Sequence, residues 1–394
     1  MAKPCRSAGK GYDREALQPA SGKRRSAYNH GMEKMTTAEA TKTAARIPSG
    51  VELQGPVKHE RNRAIDVARM VAAILILLLH ASESYATAGG DLVLGRPAWT
   101  FVGNLTMWGR VPFFFFLSGY FATLSLAKLQ SEESLFLKKR LKVLIPPYLF
   151  WNTVSFMLMW VAVTMGFNLI GNQRTDPAAA VMRITGFGLH PAGASLWFIR
   201  DLILCSMLAP LLKRLGVWIL IPCLALTFIP DTPQSLFEQG VPRISSLGYF
   251  GLGMFLAYLP SGLMTQLFPK AGRALLLCAL VGLAYAVWDF PRPGLAGVSI
   301  GALAIFLAGR FISETFPKTG EWLGANANAS FVIFAANSPY LAAVKQLYIK
   351  YHFVDSLLLY FAVLTTLFFF LCIGFYAFVK RFIPRALVLI SGGR

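Results

Sequence analysis

The sequence predicts an all-α fold, a polytopic transmembrane helix bundle of about ten spans behind a disordered N-terminal tail. Three observations predict it. Of 394 residues, 55% are hydrophobic and only 14% charged, where a soluble chain carries about a quarter charged residues. Apolar runs recur from residue 64 to 379, several of them reaching the roughly 20 residues a helix needs to cross a ~30 Å hydrocarbon core. The cations gather between those runs, as the positive-inside rule requires of membrane topology.

Residues 1–60 are rich in Ala, Ser, Thr, Gly and Lys, with no helical or strand period and no apolar core of a signal peptide. They read as a disordered basic cytoplasmic tail, with Lys23, Arg24 and Arg25 available to anionic lipid. Residues 61–385 form the membrane domain. Its candidate spans are 64–83, 101–127, 143–167, 195–212, 215–230, 244–260, 272–289, 294–312, 328–347 and 357–379. Gly, Pro and Asn interrupt or shorten the fifth, sixth and ninth. An inside N-terminus leaves fifteen Lys/Arg in cytoplasmic loops and at the C-terminus against seven on the opposite side. That imbalance predicts both termini inside and an even number of helices.

The net charge of +19 forms no continuous basic face interleaved with aromatics, so nucleic acid is not an expected partner. Cys205, Cys223, Cys278 and Cys372 lie in apolar runs without a CxxC spacing or a nearby His. They read as packing residues; neither a disulfide framework nor a metal site is indicated.

The first span carries "RMVAAILILLLH", with Arg69 and His80 bracketing ten apolar residues. Eleven positions at about 100° each make roughly three turns plus 20°, which puts both side chains on nearly the same face about 16 Å apart. An intramembrane charge costs about 2.5–3.5 kcal/mol on insertion scales and is usually kept for a cavity or pathway. The alternative is an Arg69 paired with Asp66 at i−3 and a His80 that ends a helix. Glu83, one turn on, either orients the imidazole or sits solvated at the helix end.

The second span opens on "RVPFFFFLSGYF", where Arg110 and Pro112 lead a Phe run to Ser118-Gly119. A Gly there permits close backbone approach of another helix, or a kink that makes room for a ligand. In "KKRLKVLIPPYLFW", Lys138, Lys139, Arg140 and Lys142 precede Pro146-Pro147, either as a topology signal or as a phosphate-binding platform. In "SLWFIRDLIL", Trp197 precedes adjacent Arg200 and Asp201. Helix neighbours point about 100° apart, so each is expected to face a polar interior and find its own partner. "NANASFVIFAANSPYL" places Asn326, Asn328 and Asn337 where a cavity wall is expected rather than a lipid face.

Over residues 61–380 the chain resembles the integral-membrane acyltransferase family 3, whose members O-acylate carbohydrates and other extracytoplasmic acceptors. The Arg69-x10-His80 spacing, "VPFFFFLSGYF", "KRLKVLIPPYLFW" and "SLWFIRDLIL" carry the resemblance in order. One block departs from it. Ser330, Phe331, Ile333 and Phe334 stand in the late-span motif, with Asn337 where the family commonly has His, and an amide does not exchange a proton near neutral pH.

The resemblance implies a bacterial inner-membrane enzyme that moves an acyl group, expected to be acetyl, from cytoplasmic acyl-CoA to a hydroxyl of an extracytoplasmic or lipid-linked carbohydrate. Acyl-CoA would be a co-substrate rather than a tightly bound cofactor. His80 would be the general base, with Arg69 and Glu83 completing the catalytic set. Arg69, Arg110, Lys139 and Arg140 would hold the donor, Arg110 alternatively meeting the developing oxyanion. Ser118, Trp197, Arg200, Asp201 and Asn337 would line the cavity. Two other readings are a transporter or flippase of an anionic or lipid-linked sugar, and an acyltransferase-like sensor without turnover.

Overall fold

The computed structural model describes residues 62–86, 92–93, 96–97, 110–129, 132–166, 175–228, 232–260, 263–267, 269, 271–288, 295–351 and 357–393. The tail expected over 1–60 lies outside them. The described residues are overwhelmingly helical, apart from a two-residue antiparallel pair, β1 (Leu92–Val93) with β2 (Arg96–Pro97).

In chain order the helices are α1 (Arg63–Ala86), α2 (Arg110–Lys128), α3 (Glu133–Thr164), α4 (Pro177–Thr185), α5 (Trp197–Lys213), α6 (Leu220–Phe228), α7 (Gln234–Glu238) and α8 (Ile244–Leu256). They continue with α9 (Leu263–Leu267), α10 (Ala271–Trp288), α11 (Leu295–Thr315), α12 (Pro317–Ala325), α13 (Ala329–Tyr351), α14 (Leu357–Phe382) and α15 (Leu387–Ser391).

Six helical segments are long and apolar enough to cross a membrane: Arg63–Ala81, Arg110–Lys128, Glu133–Thr164, Ala194–Lys213, Gly297–Thr315 and Ala362–Phe382. Gly216–Leu226, Ile244–Leu256 and Ala271–Leu280 are apolar but shorter. The expectation of about ten full spans therefore meets six among the described residues. In the fifth candidate, Gly216 has φ +55 and opens a 3₁₀ turn before α6, so that segment is not one helix. Leu359, Val363, Leu367, Leu371, Phe375, Phe378 and Phe382 stand exposed along α14 at three- and four-residue steps. Such a continuous apolar stripe facing outward suits lipid rather than water.

Local chemistry sets the helix ends. The Asn62 side chain accepts from the backbone N–H of Ala64 and Ile65 (3.1 and 3.4 Å) and caps α1. Asp176 accepts from Ala179 N–H at 3.0 Å, Pro177 occupies the first turn of α4, and Gly186, at φ +72, ends it. α3 runs 32 residues, about 48 Å, straight through Pro146-Pro147.

α2 packs along α8, and α1 along α11 and α13. The first crossing is backbone on backbone. A methyl on Gly119 would fall on the Phe250 carbonyl, and one on Gly253 on the backbone of Phe116. The close approach expected at Gly119 is thus made by α8. Gly309 of α11 likewise sits on the backbone of Ala64 and Ala68.

Polar contacts mark one end of the bundle. Arg63 pairs with Glu321 and Arg214 with Glu133, both at 3.3 Å, and Lys213 Nζ donates to the Leu126 carbonyl at 2.9 Å. The start of α1, the end of α2, the start of α3 and the end of α5 meet there.

Candidate active site

Toward the opposite ends of α1, α2, α5 and α8 the helices enclose a cavity of about 310 Å³. α1 contributes Ile76, Leu79 and His80; α2 contributes Arg110, Val111, Pro112 and Phe115. Ser195 comes from the 3₁₀ turn Ala194–Leu196, and Trp197 from the first turn of α5. Arg243, Ser245, Ser246 and Tyr249 open α8, while Val298 of α11 and Phe334 of α13 close the wall. Phe198 meets Phe115 edge-on at 4.8 Å and Phe334 at 5.3 Å, so an aromatic layer backs the chamber. The Phe run of α2 is therefore largely wall and core: Phe113 and Phe115 are buried.

The described lining residues carry two guanidinium groups, one imidazole, three serine hydroxyls and a phenol, with no carboxylate among them. That set can take a proton through His80, and it can stabilise phosphate or a developing oxyanion through arginine.

Arg243 sits with its guanidinium carbon 4.6 Å from the Trp197 ring centre and 4.4 Å from that of Phe237, a cation–π arrangement. His190 meets Phe237 edge-on at 4.8 Å, and its Nδ1 lies 3.1 Å from the Pro191 carbonyl. Burial pushes the His190 pKa down to about 4, with Arg200, Arg183 and Arg243 adding to the fall against the Pro191 hydrogen bond.

Of the sequence-predicted residues, His80, Arg110 and Trp197 come together at the cavity. The others stand elsewhere. Arg69 lies about 16 Å below His80 along α1 and bonds Asp66 at 3.3 Å. The α1 contribution to the cavity ends at Ile76, because Val67, Ala68, Met70, Ala72 and Ala73 are sealed against neighbouring helices. Arg69 is therefore not among the residues that line this cavity.

Lys139 is exposed, and Arg140 Nε donates to Ser206 Oγ at 3.4 Å. Ser206 stands nine residues, about 14 Å, along α5 from Trp197, so this basic stretch is not part of the cavity. Ser118 is absent from the lining. Glu83 lies in the last turn of α1, its side chain outside the described residues.

Arg200 and Asp201 are also not lining residues, and the expectation of separate partners is corrected as well. They pair directly, Arg200 Nε to Asp201 Oδ1 at 3.0 Å, with the second guanidinium nitrogen at 2.9 Å. The long arginine side chain folds back over its neighbour, which overcomes the 100° separation. Arg200 further donates to the carbonyls of Gly186 (3.1 Å), Gly240 (2.8 Å) and Val241 (3.4 Å). Asp201 Oδ2 accepts from Arg243 N–H at 3.0 Å and from the Ser246 hydroxyl at 3.1 Å. The pair is a brace that fixes two cavity residues from behind. Asn337 is fully buried behind Ser195, whose hydroxyl lies 3.3 Å from Asn337 Oδ1.

Sequence reading missed Arg243, Ser195, Ser245, Ser246 and Tyr249. One signal was available for the first: like Arg110 beside Pro112, Arg243 follows Pro242 directly before an apolar helix.

A model of the acyltransferase domain family matches residues 62–378. The chain is 25% identical over 277 residues to the succinoglycan biosynthesis protein ExoH of Rhizobium meliloti, covering 66% of this chain and 72% of that protein. It is 30% identical over 155 residues to the serine/alanine racemase of Enterococcus gallinarum, covering 38% of this chain and only 19% of the racemase. No solved structure matches it. With the family match spanning most of the sequence and six membrane-length helices within it, the chain belongs to the integral-membrane acyltransferase family 3 and is a multi-pass membrane acyltransferase.

Proposed function

We propose that this enzyme transfers an acyl group, acetyl being the expected one, from acyl-CoA to a hydroxyl of an extracytoplasmic or lipid-linked polysaccharide. The observation that carries the reading is the opening of His80 into a cavity shared with Arg110. The likeness to a succinoglycan biosynthesis protein supports a polysaccharide acceptor. The excess of cations in the loops assigned to the inside supports an inner-membrane orientation with both termini cytoplasmic.

In this mechanism His80 accepts the proton of the acceptor hydroxyl as its oxygen attacks the thioester carbonyl carbon. Arg110 stabilises the negative charge that develops on the carbonyl oxygen. The carbon–sulfur bond then breaks, the ester is formed, and the imidazolium returns its proton to the departing thiolate. Arg69, Lys139 and Arg140, toward the other end of the bundle, serve only the approach of a cytoplasmic donor.

The test is His80→Ala and His80→Gln expressed in the native membrane, with protein abundance and alkali-released acyl groups of the surface polysaccharide measured together. Loss of a general base typically costs about 10²–10⁴-fold, so ester content should fall to background at normal abundance. Ester content retained in both variants rejects His80 as the base.

A further inference from the structure

We infer that Ser195 is a specificity-determining residue that accepts a hydrogen bond from a second hydroxyl of the acceptor, and that Asn337 is its positioning residue. The inference deepens the reading above and rests on it: it narrows the acceptor to a polyol carrying a free hydroxyl besides the one that is acylated.

The argument begins with one proton. The Ser195 hydroxyl has a single hydrogen, and both of its protein partners compete for it, the Phe334 carbonyl at 3.1 Å and Asn337 Oδ1 at 3.3 Å. Turning the Asn337 amide over makes its NH₂ the donor to Ser195 and leaves the Ser195 proton on the Phe334 carbonyl. In either orientation the proton points into the protein. Ser195 lines the cavity while only 2% exposed, and what its hydroxyl has left to offer a ligand there is oxygen lone pairs. A wall of that kind binds a group that donates, such as a sugar hydroxyl, and does not bind an ether or a deoxy carbon. The attacking hydroxyl gives its own proton to His80, so the donor to Ser195 is a different hydroxyl of the same acceptor.

Asn337 holds this arrangement from behind. It is 0% exposed, and its Nδ2 has no hydrogen-bond partner. Position 337 sits on α13 two residues before Pro339, with Ser338 Oγ accepting from Ala194 N–H at 3.2 Å. Gly193 N–H in turn donates to Asn152 Oδ1 at 3.1 Å. The turn bearing Ser195 is thus tied from both α13 and α3, which fixes the direction of its hydroxyl. An amide at 337 also keeps this wall uncharged across the working pH range.

The experiment uses the full chain in lipid nanodiscs with acetyl-CoA and four acceptor probes: methyl α-D-glucopyranoside and its 2-deoxy, 3-deoxy and 4-deoxy analogues. The quantity read is the ratio of kcat/KM for the parent glucoside to that for the least active of the analogues that still carry the hydroxyl acylated in the parent. One lost hydrogen bond predicts a wild-type ratio of roughly tenfold. Ser195→Ala should bring that ratio close to 1, Ser195→Thr should restore it, and Asn337→Ala should lower it chiefly through KM. A wild-type ratio near 1, or a Ser195→Ala variant that keeps the wild-type ratio, overturns the inference. His80→Ala separates the two readings. If it leaves turnover intact, the base assignment fails, while the Ser195 ratio is still measured on the same preparation and decides the inference by itself.

Discussion

Removing the carboxylate of Asp201 should strand the least exposed cation among the described residues. Arg200 is 2% exposed and Asp201 1%. Without the carboxylate, Arg200 keeps three backbone carbonyls and no counter-charge, and the Arg243 N–H and Ser246 hydroxyl both lose their acceptor. Breaking a buried pair from one side costs about 3–5 kcal/mol. With an unfolding entropy of about 2.1 cal/mol/K per residue over the membrane domain, Asp201→Ala should lower the Tm by about 4–7 °C. The measurement is thermal unfolding of the nanodisc-embedded protein followed by tryptophan fluorescence, since Trp197 stands in this network. The double variant Arg200→Met with Asp201→Leu removes both charges and should recover most of the loss, because no uncompensated ion remains. An Asp201→Ala protein within 1 °C of wild type, or a double variant less stable than the single one, would refute the brace.

Further outcomes follow from the same geometry. His190 has a folded pKa of about 4, below its unfolded value of 6.5, so its contribution to stability is complete above pH 6.5 and is lost as the pH falls toward 4. Between pH 6.5 and 4.5 the wild-type Tm should therefore fall more steeply than that of His190→Gln, and parallel curves would contradict this. Gly253→Ala places a methyl on the Phe116 backbone, whereas Gly374→Ala meets open space. The first should cost about 1–3 kcal/mol or more and reduce membrane abundance, the second should leave abundance at the wild-type level, and immunoblots of isolated membranes compare them. Lys139→Ala combined with Arg140→Ala changes residues outside the cavity. It should raise the KM for acetyl-CoA while leaving membrane orientation, read by protease accessibility, as in wild type; a change of orientation with no change in KM makes these cations topology signals.

The sequence made legible whatever a single helix settles by itself. Arg110 and Trp197 open their helices and His80 ends the long apolar run of its own, so the motif around each showed the cavity end directly. Gly119 declared a close crossing because a residue without Cβ is what such a crossing needs. The Ser195, Ser246 and Tyr249 contributions were not legible, since a serine or tyrosine at the start of an apolar run is ordinary until tertiary folding turns it toward a chamber. Arg243 was counted as a loop charge for the same reason. Arg69 and His80 do share a helix face by periodicity, but periodicity says nothing of how tightly the intervening turns are sealed. Arg200 and Asp201 were misread because helix geometry fixes where Cβ points, and a four-bond arginine stem can reverse that direction. Span number suffered where one backbone conformation, at Gly216, breaks an apolar run that composition alone would join.

Two glycines, at 119 and 253, press one carbonyl-lined helix surface directly onto another, leaving no side-chain layer between them to act as a bearing. Sliding one helix past its mate by even a single step would drive main-chain atoms together, so the Arg110 and Arg243 walls travel as one plate. Any widening of the cavity must then leave the seam between α2 and α8 intact.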